Sequence, residues 1–567
     1  MAGKKNNNTD KDWWKKAVFY QIYPRSFMDS NGDGIGDIPG IISKLDYLND
    51  GTPDSLGIDA IWFSPFFRSP DHDYGYDISD YYDIDPRYGT LEDFDRLVDE
   101  CHKRNIRVML DLVVNHTSNE HPWFLESSSS RDNPKRDWYI WCDGRGPDNK
   151  PPNNWRNNFF GSAWEWDEHT EQYYLHSFLK EQPDLNWYNP EVKEAIFDVV
   201  RFWLDRGADG YRLDVAHHYC KDVLLRDNPP FYFRERVPDK LSWTDRRLEY
   251  NLFYLLSLPE FQINRYNKHH PETHYILKEF RRILDSYPGR TSVGEIENED
   301  PRVTASYYGE NDELHMNFYF DLMFCRWRAD SFRRAIDRWE EILQGDKWPA
   351  YTFNNHDQAR ALSKYDTANR GDKRARLMAL ALLTFRGTPF LYYGEEIGMK
   401  NATLSRHELR DPVGLKWYPV FPGRDGARTP MQWEDRYGGG FTTAMPWLPI
   451  GPELDTRNVS VQENDPHSML SFYKKMIWLR KDWPSLQTGS YRSLTRGVPH
   501  NCYMYLRELG QERLIVALNF SDINQKIMLT KEDREFDILI TTDSTRMEKT
   551  TGNELKLSPL EGCIIKI

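Results

Sequence analysis

Cysteine is scarce in this chain of 567 residues: there are six, at positions 101, 142, 220, 325, 502 and 563, with no close pair and no C-x-x-C. They read as the free thiols of a cytoplasmic protein rather than as a disulfide framework. Long apolar runs are missing too. No uninterrupted apolar stretch approaches the roughly 18 residues that a membrane-spanning helix needs. The start, MAGKKNNNTDKDWW, lacks the apolar core of a secretory signal. Positive charge is outweighed, with 74 Lys and Arg against 88 Asp and Glu and a net charge of −14, which argues against nucleic acid or an anionic membrane as partner. Low complexity is confined to SSSS at 127–130, and no internal repeat is visible.

Aromatic residues, by contrast, are abundant, with 20 Trp and 33 Tyr. Many must anchor a large core, and flat apolar rings also stack well on the C–H faces of sugars. Hydrophobic residues make up 39% of the chain, ample for a core. Strand-like and helix-like periods alternate along most of it. AVFYQIYP (17–24), GIDAIWFSP (57–65), IRVMLDLVVNH (106–116), ADGYRLD (208–214), RTSVGE (290–295), HMNFYFD (315–321), AYTFNNHD (350–357) and TPFLYYGEE (388–396) read as eight strands, most separated by amphipathic helices. Eight βα units predict an α/β fold, a parallel (β/α)8 barrel over residues 13–115 and 188–489.

Two stretches break the rhythm. Residues 116–187 are rich in Asn, Trp, Pro and Ser with no helix of useful length, which predicts a small inserted domain after the third strand. From 490 to 567 short strands separated by turns predict an antiparallel C-terminal β-sandwich.

Carboxylates recur at the ends of the predicted strands: Asp214 after GYRL, Glu295 after SVG, Asp357 after NNH. A barrel pools the residues at those ends into one site, and two closely placed carboxyl groups are the usual equipment for breaking a glycosidic bond. A single Asp or Glu is ordinarily a helix cap or a solvated surface charge. Three, each at the end of a different strand, outweigh that reading. Arg212, two residues before Asp214, points to the same side of its strand and would favour an ionised Asp214.

The ordered segments DLVVNH (111–116), QPDLN (182–186), GYRLDVAHH (210–218), VGEIEN (293–298) and NNHD (354–357) resemble the α-amylase family of glycoside hydrolases. VFYQIYPRSFMDSNGDGIGD, DYGYDISDYYDIDPRYGT and GRDGARTPMQW resemble its α-glucosidase and oligo-1,6-glucosidase branch in particular. The resemblance implies a retaining, exo-acting α-glucosidase on a small-molecule α-glucoside. Asp214 would then be nucleophile, Glu295 acid/base and Asp357 transition-state stabiliser. It further implies that His116 and His356 bind sugar hydroxyls, that Tyr76 stacks under the ring, and that Phe178 lines the same subsite. Arg428 would pair with Asp73 or the sugar and close the far end. Val215 is the residue type that accompanies α-1,6 cleavage. The stretch 221–243 instead looks like broad α-glucosidases, so linkage stays open at this level. DSNGDGIGD (29–37) is similar to a structural calcium loop, with Asp29, Asn31, Asp33, the Ile35 carbonyl and Asp37 as hard oxygen ligands. Two other readings share the scaffold. One is a sucrose or maltose isomerase or transferase, whose arginine-rich signature is replaced here by FCRWRADS. The other is a silent transporter subunit, which would lack part of the catalytic set and carry a membrane anchor.

Overall fold

A computed structural model describes residues 11–229, 262–366, 370–529, 535–543, 549–551 and 554–567. Eight parallel strands close a barrel: β1 (Phe19–Ile22), β2 (Ala60–Phe63), β3 (Arg107–Leu112), β4 (Gly210–Leu213), β5 (Thr291–Gly294), β6 (Met316–Phe318), β7 (Trp348–Tyr351) and β8 (Thr388–Tyr392). Each strand pairs with its neighbours in chain order, and β1 closes the ring on β8 with Phe19 opposite Phe390. All eight expected strands are present. β1, β2, β4, β5, β7 and β8 are buried at every position, because helices cover the outside and side chains fill the inside. That is why they read as near-continuous apolar runs rather than as alternating ones.

The barrel interior is packed, with Phe19, Trp62, Met109, Val293, Met316, Phe318, Trp348 and Phe390 in one buried cluster. Phe19 and Phe390 stack at 4.4 Å, and Phe318 meets Phe390 edge-on at 4.9 Å. The short helix Trp13–Lys16 plugs the floor, where Trp13 Nε1 donates to the Gly289 carbonyl at 2.7 Å. Around the outside, Pro190–Asp205 shows how the helical layer is specified. Asn189 caps it, Pro190 opens it, and Val192, Ile196, Val199, Val200 and Trp203 recur at helical spacing as its buried face.

The two interruptions carry sheets of their own and also pack side chains into the main core. Residues 116–187 carry a three-stranded antiparallel sheet, with Gln172–Leu175 between Trp141–Cys142 and Trp164–Asp167. They also carry an eight-residue helix, Pro122–Ser129, where the sequence predicts none of useful length. His121 caps it and Pro122 supplies a preset φ, although its serine-rich second half has little helical period. A second departure lies after β1, where IPGIISKLDYLND forms two short helices, Ile38–Ile42 and Leu45–Leu48. The Ser43 hydroxyl bonds back to the Gly40 carbonyl at 2.6 Å at that break, competing with the helix ladder. The C-terminal region forms a six-stranded and a two-stranded antiparallel sheet that share one apolar core, including Met504, Ile515, Ile527, Leu555 and Ile565. Of the segment 221–243, residues 230–243 lie outside the described residues. Among the described residues no helix is long and apolar enough to cross a membrane.

At the N-terminal end of β4, the buried Asp209 gathers the Val108 amide, Arg107 Nη1 at 2.8 Å and the His102 imidazole at 2.7 Å. Burial alone would raise this carboxyl, but His102, Arg107 and Arg290 outweigh it and hold it below its ordinary value. A depressed carboxyl stabilises the fold above its unfolded pKa, about 3.9, and that stability is lost as pH falls through the folded value. Asp209→Asn should therefore cost about 2–3 kcal/mol near pH 7, less than a fully buried pair because His102 and Arg107 reach solvent. Melting curves from pH 7 to 3 should show the gap between variant and wild type closing below about pH 4.

Candidate active site

Strand alternation builds the site. Every second side chain points into the barrel, so the inner positions that supply Met109 and Val293 to the packed core continue upward as Asp111 and Glu295. On β4 the same inner row carries Arg212 and then Asp214. The polar layer therefore sits directly on the apolar one, at the C-terminal mouth where barrel sites form.

Arg212 is the hub of that layer. Its Nη1 donates to Asp111 Oδ1 and to Asp214 Oδ1, both at 2.7 Å, and its Nη2 donates to Glu295 Oε2. The guanidinium lies 5.2 Å from the centre of the Trp62 ring, and Trp62 Nε1 donates to Asp111 at 3.3 Å. Burial pushes Asp214 and Glu295 up from their ordinary values, Arg212 opposes it for both, and the neighbouring carboxylates add to the rise. Asp111 is pushed up to about 6 by burial, again against Arg212. Three carboxyls around one cation cannot all be ionised cheaply, so their titrations are linked.

Asp357 has the opposite character. Burial would raise it, but His356, Arg424 and Arg428 together hold it well below the usual carboxylate range. Arg428 Nη2 reaches it at 2.9 Å and Arg424 Nη1 at 3.1 Å. Burial lowers His356 to about 4, so its ring is neutral at pH 7. That ring stacks on Tyr76 at 5.2 Å with the planes 2° apart, and Tyr76 OH lies 2.6 Å from His356 Nε2 and 3.1 Å from Asp111. Gln21 holds the other His356 nitrogen at 2.8 Å.

The expected arginine at Asp73 needs correction. Arg424 fills that role, donating to Asp73 Oδ1 at 2.6 Å as well as to Asp411 and Asp357. Arg428, four residues later, is buried and donates through Nε to the His356 carbonyl at 2.8 Å. A short 3-10 turn, Asp425–Ala427, separates the two and aims them differently.

The inserted domain supplies the remaining wall. Gln182 Nε2 bonds the Tyr76 carbonyl at 3.1 Å and lies 3.1 Å from His116 Nε2, and Phe178 packs 5.1 Å from the His116 ring. Burial lowers the His116 pKa. Buried Asp184 anchors this segment, taking Lys221 Nζ at 2.7 Å and the Ser177 amide at 2.9 Å. Val215 sits beside Asp214 in left-handed backbone, φ 35° and ψ 43°, and its amide faces Glu295 Oε2 at 3.3 Å. Asp111, Arg424, Gln21 and Gln182 are the site residues that sequence reasoning did not single out. The alternation around Met109 was a usable signal for Asp111. The irregular segment around Arg424 offered none.

The loop 29–37 lies apart from this cluster. Gly32 and Gly34 take positive φ, and Asp29 spends both carboxylate oxygens on the amides of Asn31, Gly32 and Gly34 and on the Thr442 hydroxyl. Asn31 and Asp33 each accept one amide through Oδ1, and Asp37 accepts the Ser30 and Gly40 amides. Oxygen acceptor capacity thus remains on Asn31, Asp33 and Asp37, although among the described residues no three His, Cys, Asp or Glu side chains are gathered closely enough to hold a metal ion by themselves.

The model of the α-amylase catalytic domain matches residues 21–489. The chain belongs to the α-amylase family. It is similar to a probable α-glucosidase of Rhizobium meliloti (strain 1021), 44% identical over 525 residues and 90% of each chain. It is also similar to the oligo-1,6-glucosidase of Parageobacillus thermoglucosidasius, 40% identical over 98% of this chain and 99% of that one. Among solved structures, the α-glucosyl transfer enzyme XgtA superposes with a TM-score of 0.88 at 41% identity, covering 98% and 99% of the two chains. The trehalulose synthase MutB from Pseudomonas mesoacidophila MX-45 gives 0.85 at 36%, with the same coverage. The chain is a family 13 glycoside hydrolase in sequence, in fold and in its carboxylate-bearing barrel mouth.

Arg212→Lys keeps a positive charge but loses the fork. It should lower kcat about 10²–10³-fold, the cost of removing one well-placed donor. Because Asp214 loses a bond to its ionised form, the acid limb of the kcat/KM profile on an aryl α-glucoside should move to higher pH.

Proposed function

We propose that the enzyme is a retaining α-glucosidase that removes one terminal α-glucose at a time from disaccharides and short oligosaccharides. The observation that carries this reading is the single Arg212 guanidinium shared by Asp214 and Glu295. Two carboxyls on one fork are near neighbours, as in retaining enzymes, whereas inverting pairs stand about 6.5–9.5 Å apart to admit a water.

Asp214 attacks the anomeric carbon while the protonated Glu295 gives its proton to the leaving oxygen. A glucosyl–Asp214 ester forms as the glycosidic C–O bond breaks. Glu295, now ionised, takes a proton from water, which attacks the same carbon and releases α-glucose and free Asp214. Burial and repulsion raise both carboxyls and Arg212 opposes the rise at each, so the two share their protons as a coupled pair, and this reading places the transferable one on Glu295. Asp357, held ionised, grips sugar hydroxyls and strengthens that grip as positive charge develops on the ring.

Exo action is supported by the wall opposite the leaving group. Arg424, joined to Asp73, Asp357 and Asp411, closes the end of the site where a longer chain would continue. The relatives bearing the names α-glucosidase and oligo-1,6-glucosidase support the reaction class. A second reading, glucosyl transfer or sucrose isomerisation, is favoured by the names of the structural neighbours. It differs only in whether water or a sugar reaches the glycosyl-enzyme first.

One assay separates the readings. Proton NMR of maltotriose and isomaltotriose digests should show α-glucose as the first and only early product, with Asp214→Ala and Glu295→Gln both reduced by at least about 10³-fold. First release of β-glucose would make the mechanism inverting. Oligosaccharides of three or more units from starch would make the cleft open, and isomaltulose or trehalulose from sucrose would make the enzyme an isomerase.

We also assign a structural calcium ion to Asn31, Asp33, Asp37, Asp29 and the Ile35 carbonyl, and a cytoplasmic location, in keeping with a sequence that has neither a close cysteine pair nor a C-x-x-C. Calcium here is remote from the reacting carboxylates and contributes stability rather than chemistry. Chelation should lower the melting temperature while leaving initial rates at 25 °C within about twofold, because an ion that binds only the folded state stabilises it.

A further inference from the structure

A partly buried lysine usually has a carboxylate close by, but among the described residues Lys268 has none within ion-pair distance. Among the described residues its Nζ donates to Asn158 Oδ1 at 2.9 Å, which uses one of its three N–H groups. The segment that carries it is fastened to both catalytic loops. The His269 amide donates to the His217 carbonyl at 2.7 Å, three residues beyond Asp214, and the two imidazoles stack at 4.9 Å. His269 Nε2 lies 3.2 Å from the Glu297 carbonyl, two residues beyond Glu295, and His217 Nδ1 lies 3.2 Å from the Glu295 carbonyl. Buried Asn267 is tied to Asn228 at 2.9 Å, which fixes the backbone just before the lysine. From the inserted domain, Asn158 is itself held by the Ser177 carbonyl, next to Phe178.

Glu295 must hand its proton to the oxygen of the bond being cut. The leaving sugar therefore rests against the loop that follows Glu295 and against that loop's neighbours. Lys268 belongs to this wall, while Arg424, Asp73 and Asp357 form the opposite one. Building on the α-glucosidase reading, we infer that Lys268 is a specificity-determining residue of the leaving-group subsite, where its ammonium donates hydrogen bonds to hydroxyl oxygens of the departing or accepting sugar.

The electrostatics agree with that placement. Burial lowers the Lys268 pKa, with Glu297 opposing; burial also lowers His217 and His218, and the Lys268 charge adds to that. An ammonium stripped of part of its water gains from acceptor oxygens. A sugar leaving group offers several and an aromatic one offers almost none, so the lysine discriminates between them.

The test compares kcat/KM for maltose with that for p-nitrophenyl α-glucoside in the wild type, Lys268→Met and Lys268→Arg, with melting temperature as the folding control. In Lys268→Met the maltose-to-aryl ratio should fall about tenfold, the loss of one charge-assisted hydrogen bond, and Lys268→Arg should recover most of it. Transfer of glucose from the aryl donor to added maltose should fall in the same proportion, since donor and acceptor share the subsite. Equal losses on the two substrates would mean that Lys268 only braces the loop, which overturns the inference alone. A wild-type enzyme that splits neither substrate would overturn the glucosidase reading and the inference with it.

Discussion

Everything at the mouth of this barrel is arranged around one buried cation. Arg212 is fully enclosed, stacked against Trp62 and bonded to three carboxylates on three strands. Remove its charge and Asp111, Asp214 and Glu295 become buried anions without compensation, a cost of several kcal/mol. The barrel can bear this concentration of charge because its walls are rigid and its floor is packed with aromatic rings. The same closure that excludes water raises the carboxyl pKa values, the property on which the proposed acid–base step draws. Structure and reactivity share a cause here.

The second organising idea is division of labour between cations. Arg212 ties Asp214 to Glu295, whereas Arg424 and Arg428 hold Asp357. Arg428 also fastens the His356 backbone, so the histidine plane and the Tyr76 ring stacked on it depend on an arginine some 70 residues away in sequence. The inserted domain is clamped to the barrel by Asp184 and Lys221, a second buried pair. The pocket is thus assembled from segments spread over most of the chain, and closed barrel topology is what makes their meeting reproducible.

How much of this was legible beforehand depended on backbone regularity. The eight strands were readable because parallel strands buried on both faces leave apolar runs, and the carboxylates were readable because they end those runs. Asp214, Glu295, Asp357, His116, His356, Tyr76 and Phe178 meet around one mouth, as the ordered motifs implied. The partner of Asp73 was not readable. Arg424 and Arg428 flank an irregular turn in which no period maps sequence onto direction, so composition could not tell them apart. The Pro122–Ser129 helix escaped for a related reason, since its serines blur the amphipathic period that marks longer helices. The bonds that Asp29 accepts from its own loop are equally invisible in a string of glycines and aspartates.

Val215 holds a left-handed backbone that a β-branched residue adopts only under constraint, at a cost of about 1–3 kcal/mol. That cost belongs to the main chain, which is bent so that its amide meets Glu295. Threonine has the same branching at Cβ and would bear the same strain, exchanging only a methyl for a hydroxyl. The strain is therefore a property of the turn and not of the particular side chain that occupies it. Either residue would bear it, and the amide of residue 215 would face Glu295 in both cases.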